Sequence, residues 1–337
     1  MSIKTMRLYK EAGCVFETTT KRFKAGTSES RKFVADYYKN KPFSWLMSND
    51  NLKQLINVRD SDEFCRRTVN IAQKFNDIQA DLLPKLKIRF SPIDEFSGGY
   101  FPLKHKVKLF YFIKTPEQAC FRVAHNKNSN NILERLRFIN SVFHEFRHVK
   151  QMIDFCRTEN ISDEWVEHMA LSYGLRSAKK FNNIFKNLTL QDYLRVCGIK
   201  GLLQEADKKL VEEYFAVKDS SPQKLKIVLT KMGKKIAEKN KVKFADFRDL
   251  VLKIMPKIPA ETKEAKYNEC LFDDFCERHF YPFKDTGNLL YELDASYVGQ
   301  KMRSAALRAM SKFILREGKR IAAVCNHWTD FEELQVK

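Results

Sequence analysis

The sequence predicts an α+β protein that is mostly α-helical, with one small sheet, a long helix directly after it and an additional helical subdomain. Three observations carry this. Only 11 Gly and 9 Pro interrupt 337 residues, which favours long ordered helices over loop-rich or all-β architecture. Apolar residues with a period of two are convincing in one region only, between Leu86 and Lys114. Beyond it they recur at spacings of three and four, most clearly at Ile132, Leu136, Ile139, Phe143 and Phe146. A hydrophobic fraction of 44% with 27 Phe places the chain in the globular class, long enough for one large domain or two smaller ones.

Residues 1–84 read as an N-terminal helical region. Ser48-Asn49-Asp50 and Ser61-Asp62-Glu63 have the composition of helix N-caps, each followed by apolar residues at helical spacing, and Pro84 closes the region. Residues 85–175 begin with strands at Leu86 to Phe90, at Gly98-Gly99-Tyr100 and between Lys104 and Lys114. In the last of these Val107, Leu109, Tyr111 and Ile113 alternate with Lys106, Lys108, Phe110 and Phe112. The polar run Asn126 to Asn131 starts the long helix, and Ser162 can cap another through Trp165 to Lys180.

Residues 175–285 form a Lys-rich helical insertion or subdomain. Thr189 with Asp192 looks like a capping box, Ser221-Pro222 opens a helix, and Pro256 with Pro259 marks a break. Lys231, Lys234, Lys235, Lys239, Lys241 and Lys243 give this part a solvated basic face. Residues 286–337 are C-terminal helices, entered through Asp285-Thr286-Gly287-Asn288 and continuing to about Gly318.

The net charge of +19 favours contact with nucleic acid, an anionic surface or an acidic partner, and says nothing about fold. The eight cysteines contain no Cys-x-x-Cys pair, and a chain of this length does not need disulfide staples. Cys270, Cys276 and His279 lie close in sequence but match no zinc spacing, so Cys270 and Cys276 read as buried helix cysteines. No apolar stretch follows the charges between Met1 and Lys24, and the apolar run Leu109 to Ile113 is far too short to span a membrane. The expectation is a cytoplasmic protein, with export that needs no cleavable signal left open.

The chemistry is concentrated in His144-Glu145-Phe146-Arg147-His148. On a helix, residues four apart share a face, so His144 and His148 can present two imidazole nitrogens to one ion. Glu145 leans to the flank of that pair, where a carboxylate can take a proton from water without ligating the metal.

With its neighbours this segment, Phe143 to Gln151, resembles the active-site helix of the zincin metallopeptidases, in particular those of HExxHxxQ form. The resemblance implies a zincin-like fold over about residues 85–175 plus one later helix. In it a small twisted sheet precedes the helix and its edge strand binds substrate backbone, a place that Gly98 to Lys114 would take. It also implies a Zn2+ cofactor, a peptide or protein substrate, and amide hydrolysis with Glu145 as general base. Arg147 departs from it, standing where many zincins have an uncharged residue.

The same resemblance frames the third ligand. Gln151 replaces the Gly that bends the helix in metzincins, so Asp154 is a poor ligand; Gln151 itself either contacts substrate or water or is a plain surface amide. Gluzincins supply a Glu from a second helix that carries small residues. Glu292 fits, with Ala295, Ser296 and Gly299 on its own face, and Asp294 beside it is a candidate to hold and orient a ligand histidine without touching the metal. The alternative is Glu167, nineteen residues after His148 and followed by Ala170 and Gly174. Glu292 is preferred, which makes residues 175–285 an insertion; Glu167 would make them a separate C-terminal domain. Tyr173, Tyr297, Arg303 and His279 are candidates for stabilising an oxyanion.

The expected function is therefore a zinc metallopeptidase. The rival reading is a basic nucleic-acid-binding or scaffold protein, whose Lys-rich face is its working surface and whose HExxH is degenerate or structural.

Overall fold

The computed structural model describes residues 27–39, 55, 58, 60–91, 98–112, 132–163, 166, 170, 206–280 and 290–306. These are mostly helical, with a single three-stranded sheet. They divide into two compact units, one drawn from Met1–Tyr100, Lys106–Lys150 and Gly287–Lys337, the other from Phe101–His105 and Gln151–Thr286.

The first unit opens with α1 (Ser28–Tyr38), capped by the Thr27 hydroxyl, which accepts from Ser30 N–H at 3.1 Å. In α2 (Ser61–Phe75) the cap is Asp60 rather than Ser61. Asp60 is still extended and its carboxylate accepts from Glu63 N–H at 2.7 Å, whereas Ser61 is already helical. The expected cap at Ser48-Asn49-Asp50 lies outside the described residues, as do those at Asn126 to Asn131, at Thr189 with Asp192 and at Asp285 to Asn288.

The sheet consists of β1 (Lys85–Ser91), β2 (Gly98–Phe101) and β3 (Lys106–Phe112), in the order β1-β3-β2. β1 and β3 run parallel, from Lys85 opposite Lys106 to Ser91 opposite Phe112. Parallel neighbours need a crossover, and β2 is drawn from that connection; among the described residues it lies at the edge of the sheet. The alternation read in the sequence puts Val107, Leu109 and Tyr111 of the central strand in the core. There Tyr111 and Phe64 meet Phe138 of α3 (Ile132–Arg157), with ring centroids 5.4 and 6.2 Å from it. Phe64, Phe138, Phe143 and Phe146 are all essentially fully buried. Each contributes about 1.5–3 kcal/mol by leaving water, enough together to hold a helix that also buries charge. A further helix, α7 (290–306), packs Ala295, Val298, Met302 and Ala306 into the same unit.

The second unit contains α4 (Lys208–Val217), α5 (Pro222–Ile254) and α6 (Lys263–Phe280). Cys270, expected to be buried, is exposed on α6, because it shares the solvent face of that helix with Glu269 and Asp273. Ser221 caps α5 with Pro222 in its first turn, accepting from Lys224 N–H at 3.3 Å. The helix runs 33 residues and stops before Pro256. Leu225, Val228, Leu229, Met232, Ile236, Phe244, Phe247 and Val251 form its buried stripe. Its main segment begins at Gln151, earlier than the Lys-rich segment begins in the sequence. The last turns of α3 belong to it because Ile258 N–H donates to Arg157 carbonyl at 2.7 Å and Phe155 stacks on Phe272 at 3.5 Å between centroids. No helix among the described residues is long and apolar enough to cross a membrane.

Candidate metal centre

Helix α3 sets His144 and His148 one turn apart, their ring centroids 4.7 Å from each other and the rings nearly perpendicular. Their Nε2 atoms are 3.1 Å apart. Helix α7 brings Glu292 Oε2 to 3.4 Å from His144 Nε2 and 3.6 Å from His148 Nε2. These three residues form a group able to hold a metal ion, found among the described residues. The spacing is a test of fit. The circle through the three atoms has a radius of about 2 Å, the length of a zinc–nitrogen or zinc–oxygen bond. The side chains of His144, His148 and Glu292 are 20%, 14% and 30% exposed, so the point they face is open on one side.

The electrostatics agree with the geometry. Burial alone would raise the Glu292 pKa, but the charge of His148 and hydrogen bonds from both histidines outweigh it and hold the carboxyl well below the usual range. Glu145 moves the other way: burial pushes it up, against the pull of both histidines and a hydrogen bond from the Tyr100 backbone N–H. That bond places edge strand β2 directly beside the carboxylate. A Cβ at Gly98 would come within 3.0 Å of Glu145 Cγ and 3.2 Å of its Oε1, so a glycine is what lets the strand pass this close.

The close crossing of α7 with α3 has a similar cause. A Cβ on Gly299 would lie 2.7 Å from the Asn140 carbonyl oxygen, closer than side chains are found, so the small-residue face of α7 is needed for Glu292 to reach the histidines. Ser296, on the same face, has its Oγ 3.5 Å from His144 Nδ1. Tyr291, one residue before Glu292, lies 5.5 Å from the His148 ring between centroids.

Asp294, expected beside a ligand histidine, is fully buried, and both its oxygens are engaged by other groups. Oδ1 accepts from Tyr38 Oη at 2.6 Å and Oδ2 from Arg147 Nε at 2.5 Å. Tyr297, a candidate oxyanion donor, stacks on the Tyr38 ring, and Arg303 is buried. Gln151 is half-buried and opens the main segment of the second unit, where Asp154 pairs with Arg157 at 3.5 Å. Glu167, Tyr173 and the His279 side chain lie outside the described residues.

Sequence reasoning did not find Tyr38 or the partner of Arg147. The second left a signal. A charged residue between two ligands on a largely apolar helix, once buried, requires an acid, and Asp294 stood beside the preferred third ligand. Tyr38 left none, because its contact with Asp294 spans 256 residues. Compared with family models, curated proteins and solved structures, the chain gives no significant match.

Proposed function

We propose that the protein is a zinc metallopeptidase that hydrolyses a peptide or protein amide bond. The observation that carries this reading is the convergence of His144 Nε2, His148 Nε2 and Glu292 Oε2 to within 3.1–3.6 Å of one another, with Glu145 buried beside them. Two nitrogens and one carboxylate oxygen, open on one side, are the donor set of a catalytic rather than a structural zinc. Bound there, zinc would supply a Lewis acid and bring the pKa of a water down to about 7.

The remaining chemistry belongs to the chain. Glu145 takes a water proton on its carboxylate and returns it to the leaving amine nitrogen. The Tyr100 N–H holds that carboxylate in place, and the walls that bury it limit access of bulk water. Edge strand β2 runs next to Glu145, and an edge strand offers backbone groups with which an extended chain can pair. This favours a peptide as substrate and is the point at which the likeness to zincins is closest.

The test combines metal analysis and hydrolysis of a protein substrate such as casein. Wild type should hold about one zinc per chain and Glu292→Ala much less. Glu145→Gln should keep the zinc and lose activity by about a hundredfold or more. Full activity in Glu145→Gln would rule the mechanism out.

A further inference from the structure

Beside the metal ligands lies a cluster that the proposed chemistry does not use. Asp294 is held by the Tyr38 hydroxyl and the Arg147 guanidinium, and all three residues are buried. The Tyr38 ring stacks on Tyr297 at 5.1 Å, and Arg147 Cζ lies 5.8 Å from the Tyr38 ring centroid. Tyr38 ends α1, Arg147 sits between the two histidines on α3, and Asp294 follows Glu292 by two positions on α7. Three chain segments distant in sequence thus meet at one carboxylate.

Residues two apart on a helix project to nearly opposite sides. Asp294 therefore anchors α7 on the side away from Glu292. On the ligand side, Gly299 against the Asn140 carbonyl leaves no slack. Held on both sides, α7 has one rotational setting about its own axis. That setting matters to the ligand geometry. A side-chain tip about 5–6 Å from a helix axis moves by about 2 Å when the helix turns by about 20°, which is enough to take Glu292 Oε2 out of ligand range.

We infer that Tyr38, Asp294 and Arg147 are positioning residues that fix the rotation of α7 and thereby hold Glu292 at bonding distance from the ion gripped by His144 and His148. The inference rests on the metal-centre reading and adds to it the part of the chain that sets the third ligand. Arg147 accordingly does two things: its helix carries two ligands, and its side chain aligns the third.

The test is a double-variant cycle on the full chain, with zinc affinity read by competition against a chromophoric chelator. Tyr38→Phe keeps the ring that stacks on Tyr297 and removes only the donor to Asp294. It should weaken zinc binding about tenfold, as loss of an outer partner of a metal ligand does. In the Glu292→Ala background the same change should alter affinity by less than about twofold, because there is no third ligand left to misplace. Asp294→Asn serves as a second variant, read by the visible absorption of bound Co2+, whose band shape should change relative to wild type. Equal losses from Tyr38→Phe in both backgrounds would mark a general structural defect and overturn the inference. So would undiminished zinc affinity in Tyr38→Phe when wild type binds zinc through Glu292. A wild-type chain that takes up no zinc overturns the metal-centre reading itself, and this inference with it.

Discussion

Helices α3 and α5 are both long, and they carry their charges in opposite ways. On α3, Glu134, Arg135, Glu145, Arg147 and Asp154 are all buried. On α5, Lys224, Lys226, Lys231, Lys234, Lys235, Lys239 and Lys241 are all exposed, and the buried stripe contains only one polar side chain, Asn240. Burying an ion costs several kcal/mol unless a partner and hydrogen bonds offset it, whereas a solvated lysine costs almost nothing. The charges on α3 therefore have a structural and chemical reason that can be traced partner by partner. Those on α5 make up much of the net +19 and reveal little about chemistry. Of the buried charges, Glu145 and Arg147 stand beside the candidate metal centre, and the abundant exposed ones only outline a surface.

The contrast is sharpest in stability. Asp294→Ala leaves Arg147 buried without its carboxylate and Tyr38 without its acceptor. It should cost about 3–5 kcal/mol. Asp246→Ala, an exposed acid on α5, should change stability by no more than about 0.5 kcal/mol. Urea denaturation, with hydrogen exchange in α3 and α5 to assign the loss to a unit, measures both. Similar costs at the two positions would break the comparison.

Alkaline pH probes the first unit by a second route. Burial pushes the Tyr111 phenol up to about 12, even though Arg135 pulls the other way, and Tyr38 is raised well above its usual value by burial. A raised folded-state pKa means that the folded form holds its proton more tightly than the unfolded one. The stabilisation is therefore complete below about pH 10 and is lost as pH rises through about 12. For Tyr111 it amounts to about 2–3 kcal/mol. In Tyr111→Phe the alkaline loss in the first unit should shrink by that amount. The second unit, where burial raises the Cys156 thiol, should keep its own alkaline loss unchanged.

Much of this was legible because it is local. The alternation in β3 and the three–four spacing in α3 and α5 are properties of a few turns of chain, and backbone geometry fixes their outcome. His144, Glu145 and His148 are legible for the same reason. Glu292 could be read only as one of two candidates, because the distance between ligand helices is set by packing, of which the small face through Gly299 was the single trace. The parallel pairing of β1 with β3 was not visible, since a run of strand residues does not specify its neighbour. Asp60 rather than Ser61 as the cap shows the same limit at one-residue scale: both are good caps, and where the first turn begins decides between them. The Asp294 cluster was hidden because its three members come from segments that share no local pattern.

The smallest expected effect separates the two functions considered for the chain. Lys224, Lys234 and Lys239 are exposed on α5, while Lys231 and Lys235 lie 3.7 and 3.5 Å from Glu213 and Asp207. Replacing Lys224, Lys234 and Lys239 together by alanine removes three positive charges from exposed positions. Stability should stay within about 0.5 kcal/mol per position, and hydrolysis within about twofold of wild type, because none of the three belongs to the candidate metal centre. If α5 is instead a polyanion surface, binding of a DNA or RNA duplex to wild type should fall steeply with salt, and the triple variant should lower that slope by about the number of phosphates it no longer neutralises. A steep slope that flattens in the variant, in a protein that holds no zinc, would move the function from α3 to α5. Unchanged weak binding, together with zinc held by α3 and α7, would leave the exposed lysines as the solvated face of a helix whose inner stripe does the folding.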